Sequence, residues 1–163
     1  WVGMLSNIQV HAKPFEGFWM KKAYMVPKDV PDGNESPDSL ATNMEPISVM
    51  NVRSIFVSPE PNQIIKVGEQ TDVQGVAFDG GYGITKVELS ADSGKTWLPA
   101  QLDPDLGKYS WRRWHYNFTA SQKGNYNLHV KATNAKGQTQ PLQQWNRSGY
   151  MRNEIEILPL KAE

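Results

Sequence analysis

The chain has 163 residues and a mass of 18.4 kDa, enough for one domain with its own core, or a domain plus an arm. Lysine and arginine number 17, as do aspartate and glutamate, so the formal charge is zero; this argues against a general nucleic-acid binder and a polybasic membrane anchor. Cysteine is absent, which excludes disulfides, thiolate metal ligands and iron–sulfur clusters supplied by this chain. No run approaches the ~18 apolar residues of a membrane span. The opening WVGMLSNIQV lacks the basic start and small-residue cleavage site of a signal peptide. With Trp1 in place of an initiator methionine, the chain reads as a piece of a longer protein.

Residues 1–26 are aromatic and apolar, with Trp1, Phe15, Phe18, Trp19 and Tyr24, and need a surface to pack on. They read as an extended N-terminal arm at a junction with another domain. Residues 27–49 read as an irregular acidic, proline-rich linker or loop: residues 27–46 hold four prolines and five acids. From residue 50 the signals are those of strands. Val52–Val57 is β-rich and stops at Ser58-Pro59. Thr71–Phe78 runs into Asp79-Gly80-Gly81, a turn that lacks the lysine and following helix of a phosphate loop. Ile84–Ser90 alternates, with Val87 and Leu89 on one face and Ile84 out of phase. Ala91-Asp92-Ser93-Gly94-Lys95 is a hairpin turn. Tyr126, Leu128, Val130 and Ala132 alternate with polar neighbours, and Ile155 and Ile157 begin a last strand. About seven short strands, each with one wet face, predict an all-β immunoglobulin-like sandwich over residues 50–163, with a barrel as the alternative.

The candidate functional residues are few. His11, His115 and His129 lack metal-ligand spacing, and neither a G-x-S-x-G elbow nor an H-E-x-x-H motif occurs. His129 reads as solvent-facing, while His115, among aromatics, is open. Lys108–Tyr116 interleaves bases with aromatics. It reads either as a sugar or nucleic-acid platform, or as a long strand with Trp111 and Arg113 on one face and Arg112 and Trp114 on the other. Three N-x-[ST] triplets, at Asn34, Asn117 and Asn146, are near chance frequency. Gln140–Asn153 is too polar for a core strand and too aromatic for a free loop, which is the composition of an interface or pocket rim.

These residues resemble a known pattern. Gly83-Ile84, Val87-Glu88, Ser90, Gly94 and Trp97, then Tyr109, Trp111 and Trp114, then Gln140-Pro141, and finally Trp145-Asn146, Gly149-Tyr150 and Asn153 resemble the C-terminal dimerisation domain of the sulfite oxidase family, molybdopterin-dependent oxidoreductases. The pattern looks nearest to the bacterial sulfite dehydrogenases. Phe15–Met20 and Ala23-Tyr24 resemble the crossing from the catalytic domain. The resemblance implies a homodimer built on an immunoglobulin-like sandwich. It also implies a molybdenum–molybdopterin cofactor held by a cysteine of a catalytic domain outside this chain, with no catalytic residue and no metal site here. The implied reaction is oxidation of sulfite to sulfate, with electrons passed to a haem or cytochrome c, and the implied compartment is the periplasm.

In animal and plant sulfite oxidases an arginine in the Trp-Asn-x-Arg-Gly stretch points to the substrate pocket. Here that position is Ser148, so the arginine is not carried over; Arg147 and Arg152 are the neighbouring candidates for the pocket rim. Trp145, Asn146, Tyr150 and Trp19 are the candidates for the interface or junction. Two other readings stay open. One is a stand-alone immunoglobulin-like module for protein or carbohydrate, favoured by exposed Trp rings and disfavoured by buried ones. The other is a family member acting on a different small oxyanion or sulfur species.

Overall fold

The computed structural model describes residues 3–30 and 33–163. The chain forms two compact units, Trp1–Ser48 with Asn146–Tyr150, and Val49–Trp145 with Met151–Glu163. Among the described residues no helix is long and apolar enough to cross a membrane.

The first unit is built on one short ribbon. A single π-helical turn, Trp19–Ala23, leads into β1 (Met25–Pro27), which pairs antiparallel with β2 (Met44–Pro46). Both strands carry a proline, which cannot donate to a ladder and is tolerated in a two-stranded ribbon, where each strand is an edge. Backbone bonds from Ile47 to Tyr24 and from Lys28 to Asn43 extend the ribbon at either end. Val26 and Pro27 are its buried apolar side chains among the described residues. Residues 5–10, before the turn, are exposed and outside any strand or helix.

The second unit is a sandwich of two sheets. One sheet holds β3 (Arg53–Ser58), β5 (Gln70–Phe78), β9 (Arg112–Thr119) and β8 (Gln101–Leu102), in that order. The other runs β4 (Ile64–Ile65), β11 (Glu156–Ala162), β10 (Gly124–Asn134), β6 (Ile84–Ser90) and β7 (Leu98–Pro99). All pairings within these sheets are antiparallel except β4 with β11. The sandwich read from residue alternation is therefore the fold.

Alternation places Val73 and Ala77 of β5, Trp114 and Phe118 of β9, Val87 and Leu89 of β6, and Leu128 and Val130 of β10 in one core. Each large aliphatic side chain buried there contributes about 1.5–3 kcal/mol. Trp114 is completely buried and meets Phe56 edge to face, ring centres 5.7 Å apart. Its ring lies over Gly75, its register partner on β5. A Cβ at Gly75 would overlap the indole and the Ile55 carbonyl, so only glycine fits. Ile84 is buried although it is out of phase with Val87, because the β6–β10 register slips: Thr133 faces Lys86 while Asn134 faces Ile84. The extra residue, Thr85, is a bulge that resets which face Ile84 takes.

One side chain ties the two layers. The buried Gln140 accepts from the Ser54 amide of β3 at 2.6 Å and from the Ala132 amide of β10 at 3.0 Å through the same oxygen. Its amide nitrogen donates to the Glu154 carbonyl at 2.8 Å. Three backbone groups, the buried amides of Ser54 and Ala132 and the part-buried Glu154 carbonyl, are thus paired by one glutamine.

The hairpin between β6 and β7 is held by polar side chains. Asp92 accepts from the Thr96 amide at 2.8 Å and from the Ser90 hydroxyl at 2.7 Å. These bonds, the Thr96 amide first, hold its carboxyl well down, from 3.8 to about 2. Ser90 Oγ accepts in turn from the amides of Asp92 and Gly94, and the Trp97 indole donates to the Gly94 carbonyl at 3.0 Å.

Candidate functional site

The Trp145–Asn153 stretch divides between the two units. Asn146–Tyr150 belongs to the first. There Asn146 is buried and closes a turn on itself: its amide nitrogen donates to the Tyr150 carbonyl at 2.9 Å, and its carbonyl oxygen accepts from the Ser148 amide at 3.1 Å. Asparagine suits this place because its short amide serves as donor and acceptor within one turn. Ser148, at the position of the family arginine, donates its hydroxyl to the Met25 carbonyl of β1 at 3.2 Å.

Arg147 is committed to Glu35. Its guanidinium reaches the Glu35 carboxylate at 2.5 Å and 3.1 Å, and its backbone amide donates to the same carboxylate at 3.0 Å. Arg147 also donates to the Ala41 carbonyl at 2.6 Å, and the Ala41 amide donates to Glu35 at 2.8 Å. The Glu35 side chain is fully enclosed. The Arg147 guanidinium, foremost, and the two backbone amides hold its carboxyl down from 4.5 to about 2. An arginine so engaged is a clamp on residues 35–41. No sequence signal marked Glu35, which lies 112 residues away.

Aromatic rings line the same unit. Tyr150 lies 5.4 Å from Tyr24, Tyr24 lies 5.6 Å from Trp19, and Trp19 lies 5.3 Å from Phe18. Trp19 is 60% exposed. The structure thus joins two of the junction candidates, Trp19 and Tyr150, through Tyr24.

Trp145 and Arg152 belong to the second unit. Trp145 is partly exposed. Arg152 pairs with Glu154 at 3.6 Å, its side chain mostly in solvent, while its carbonyl accepts from Arg53 at 3.4 Å. Arg53 also pairs with Glu156. Asn153 is fully buried; its backbone amide donates to Gln144 at 2.8 Å, and neither side-chain amide atom finds a partner among the described residues.

Outside this stretch, His115 sits on the outward side of β9, 3.3 Å from Asp103 and 3.7 Å from Asp72. His129 lies on the outward side of β10 and meets the Asn127 carbonyl at 3.2 Å. The 108–116 segment takes the strand reading from Arg112 onward: Trp114 is in the core, while Trp111 and Arg113 are exposed. Among the described residues no three His, Cys, Asp or Glu side chains gather as a metal site. With no cysteine in the sequence, the residues present do not fit a thiolate-held molybdenum cofactor.

The profile of the Mo-co oxidoreductase dimerisation domain matches residues 44–156, from β2 to the start of β11. The chain belongs to this family. Sulfite oxidase from Arabidopsis thaliana is 35% identical over 109 residues, covering 66% of this chain and 26% of that enzyme. Nitrate reductase [NADH] 1 from Oryza sativa subsp. japonica is 30% identical over 121 residues, covering 66% of this chain and 13% of that enzyme. The chain therefore spans about a quarter or less of the length of these two relatives. Among solved structures, the sulfane dehydrogenase SoxCD from Paracoccus pantotrophus shares the fold, with a TM-score of 0.67 and 21% identity over 91% of this chain and 37% of that one.

Proposed function

We propose that this chain is the dimerising, non-catalytic part of a longer molybdenum-dependent enzyme that oxidises sulfite to sulfate. The observation that carries the reading is the family match over residues 44–156, which takes in nearly the whole sandwich. The 35% identity to a plant sulfite oxidase supports the substrate. In this proposal the cofactor, held elsewhere in the protein, supplies the two-electron chemistry. This chain supplies a two-fold patch for a homodimer. It also braces the catalytic part through the aromatic run Phe18–Trp19–Tyr24–Tyr150 and the loop fixed by Asn146. Electrons leave one at a time to a haem or cytochrome c. The periplasm is the proposed compartment, on the resemblance to bacterial sulfite dehydrogenases.

The rice relative, a nitrate reductase by name, favours a second reading in which the oxyanion is nitrate and is reduced. Both readings share the same test. The intact protein is purified, its molybdenum content measured, and sulfite-dependent reduction of cytochrome c compared with nitrate-dependent oxidation of a reduced dye. Bound molybdenum with sulfite-dependent turnover is the expected result. Nitrate turnover without sulfite turnover selects the second reading, and an intact protein that binds no molybdenum overturns both.

A further inference from the structure

Four side chains bury a polar atom that has no partner among the described residues: Arg53, Arg112, Trp114 and Asn153. In the first three a single N–H is unmet, the Nε of each arginine and the indole nitrogen of Trp114. The same two guanidinium groups pair elsewhere, Arg53 with Glu156 and Arg112 with Asp105. Asn153 differs. The residue is fully buried, and both ends of its carboxamide, Nδ2 and Oδ1, are unmet. A carboxamide carries two N–H donors and an acceptor oxygen. Enclosing them without partners costs the desolvation of each, and native interiors rarely leave such groups alone.

The main chain on either side of Asn153 is pinned. Its own amide donates to Gln144 at 2.8 Å. The Met151 carbonyl accepts from Gln144 at 3.1 Å and from Asn51 at 2.9 Å. The Glu154 carbonyl accepts from Gln140 at 2.8 Å, and the Ile155 amide donates to the Pro141 carbonyl at 2.9 Å. All of these residues belong to the sandwich unit. The Asn153 side chain cannot swing out to solvent without undoing these bonds, so its partner has to come to it. We propose that the Asn153 carboxamide is the binding site of an enclosed water molecule inside the sandwich unit. The unmet groups include both donors and an acceptor, and water is the smallest molecule that accepts from one and donates to the other. A cation would satisfy Oδ1 alone and an anion Nδ2 alone, each leaving the opposite end of the amide bare. Folded proteins enclose about one water per 27 residues, typically bonded to about three polar groups that lack other partners, so a chain of 163 residues has room for several. The water completes, at the centre of the 151–155 segment, the bonding that Asn51, Gln140 and Gln144 supply around it.

The test is a crystal structure of the intact protein at a resolution that shows ordered water, for wild type and for Asn153→Leu. Leucine keeps the approximate shape of asparagine and removes both polar ends. The expected result is a non-protein density peak within about 3.2 Å of Oδ1 or Nδ2 in the wild type, and loss of that peak in Asn153→Leu. A peak that persists in the leucine variant shows that other groups hold the water and overturns the assignment to Asn153. Wild-type crystals transferred into bromide and into rubidium salts separate water from ions: an anomalous peak beside Asn153 in either overturns the proposal. So does a wild-type amide bonded at both ends to protein groups, or one with no density near it at all. Should Asn153→Leu fail to fold, the wild-type crystals with and without the two salts decide alone.

Discussion

The sandwich and the ribbon unit are held by different physics. In the sandwich, three central strands, β5, β9 and β10, bury Val73, Trp114, Leu128 and Val130 almost completely, and polar groups enter mainly as clamps such as Gln140. In the ribbon unit the buried apolar content among the described residues is Val26 and Pro27, while the enclosed groups that organise it are Glu35 and Asn146. Apolar packing is non-directional and scales with area, so the sandwich tolerates change at its surface but not at its centre. Charge-assisted hydrogen bonds are directional and depend on both partners, so the ribbon unit hangs on a few atoms and on pH.

Substitutions in the two regions break this contrast if it is wrong. Trp114→Ala removes the largest side chain of the core and is expected to cost about 4 kcal/mol in denaturant unfolding. Gly75→Ala forces a methyl into the same indole and a backbone carbonyl, with an expected loss of about 3 kcal/mol. An unfolding midpoint within error of wild type for either would remove Trp114 from the centre of the account. Gln140→Ala strands the buried amides of Ser54 and Ala132, an expected loss of about 2–3 kcal/mol, and hydrogen exchange at those two amides should speed up first. If they exchange as slowly as in wild type, the two layers are held together without Gln140.

In the ribbon unit the expected effects are smaller and local. Glu35→Gln should accelerate exchange at the Ala41 and Arg147 amides while leaving the sandwich transition in place. A shift of the whole unfolding curve would show that the clamp supports more than its own unit. The pH dependence follows from the carboxylates. Glu35 and Asp92 both titrate at about 2 in the folded protein, below their ordinary 4.5 and 3.8. Because the folded values are the lower ones, their stabilisation is fully present above the ordinary values and is lost as the pH falls from there through about 2. Protection at Ala41 should therefore be flat from pH 8 to about 5 and fall below that, and Glu35→Gln should abolish the acid limb. A wild-type profile with no acid limb contradicts the clamp.

The sandwich was readable because its long strands carry period-two patterning over seven or more residues. The expected Ile84–Ser90 strand is β6, and the odd phase of Ile84 was the trace of a bulge. The strands that left no mark in the sequence, β1, β2, β4, β7 and β8, are two or three residues long, too short to show a period. The site was half legible. Asn146, Gly149 and Tyr150 stood out because an aromatic, polar turn is uncommon between strands. The Glu35–Arg147 clamp did not, since 112 residues separate its partners and Glu35 lies in a stretch that otherwise reads as solvated. Gln140 was visible as the first residue of the unusual 140–153 stretch and as part of the resemblance; that its amide reaches both sheets is a property of the fold.

The central claim is that this domain brings two copies of its protein together. Sedimentation equilibrium of the intact wild-type protein at micromolar concentration tests it most directly. The account predicts a mass twice that of the single chain. A single-chain mass across the accessible concentration range would contradict it.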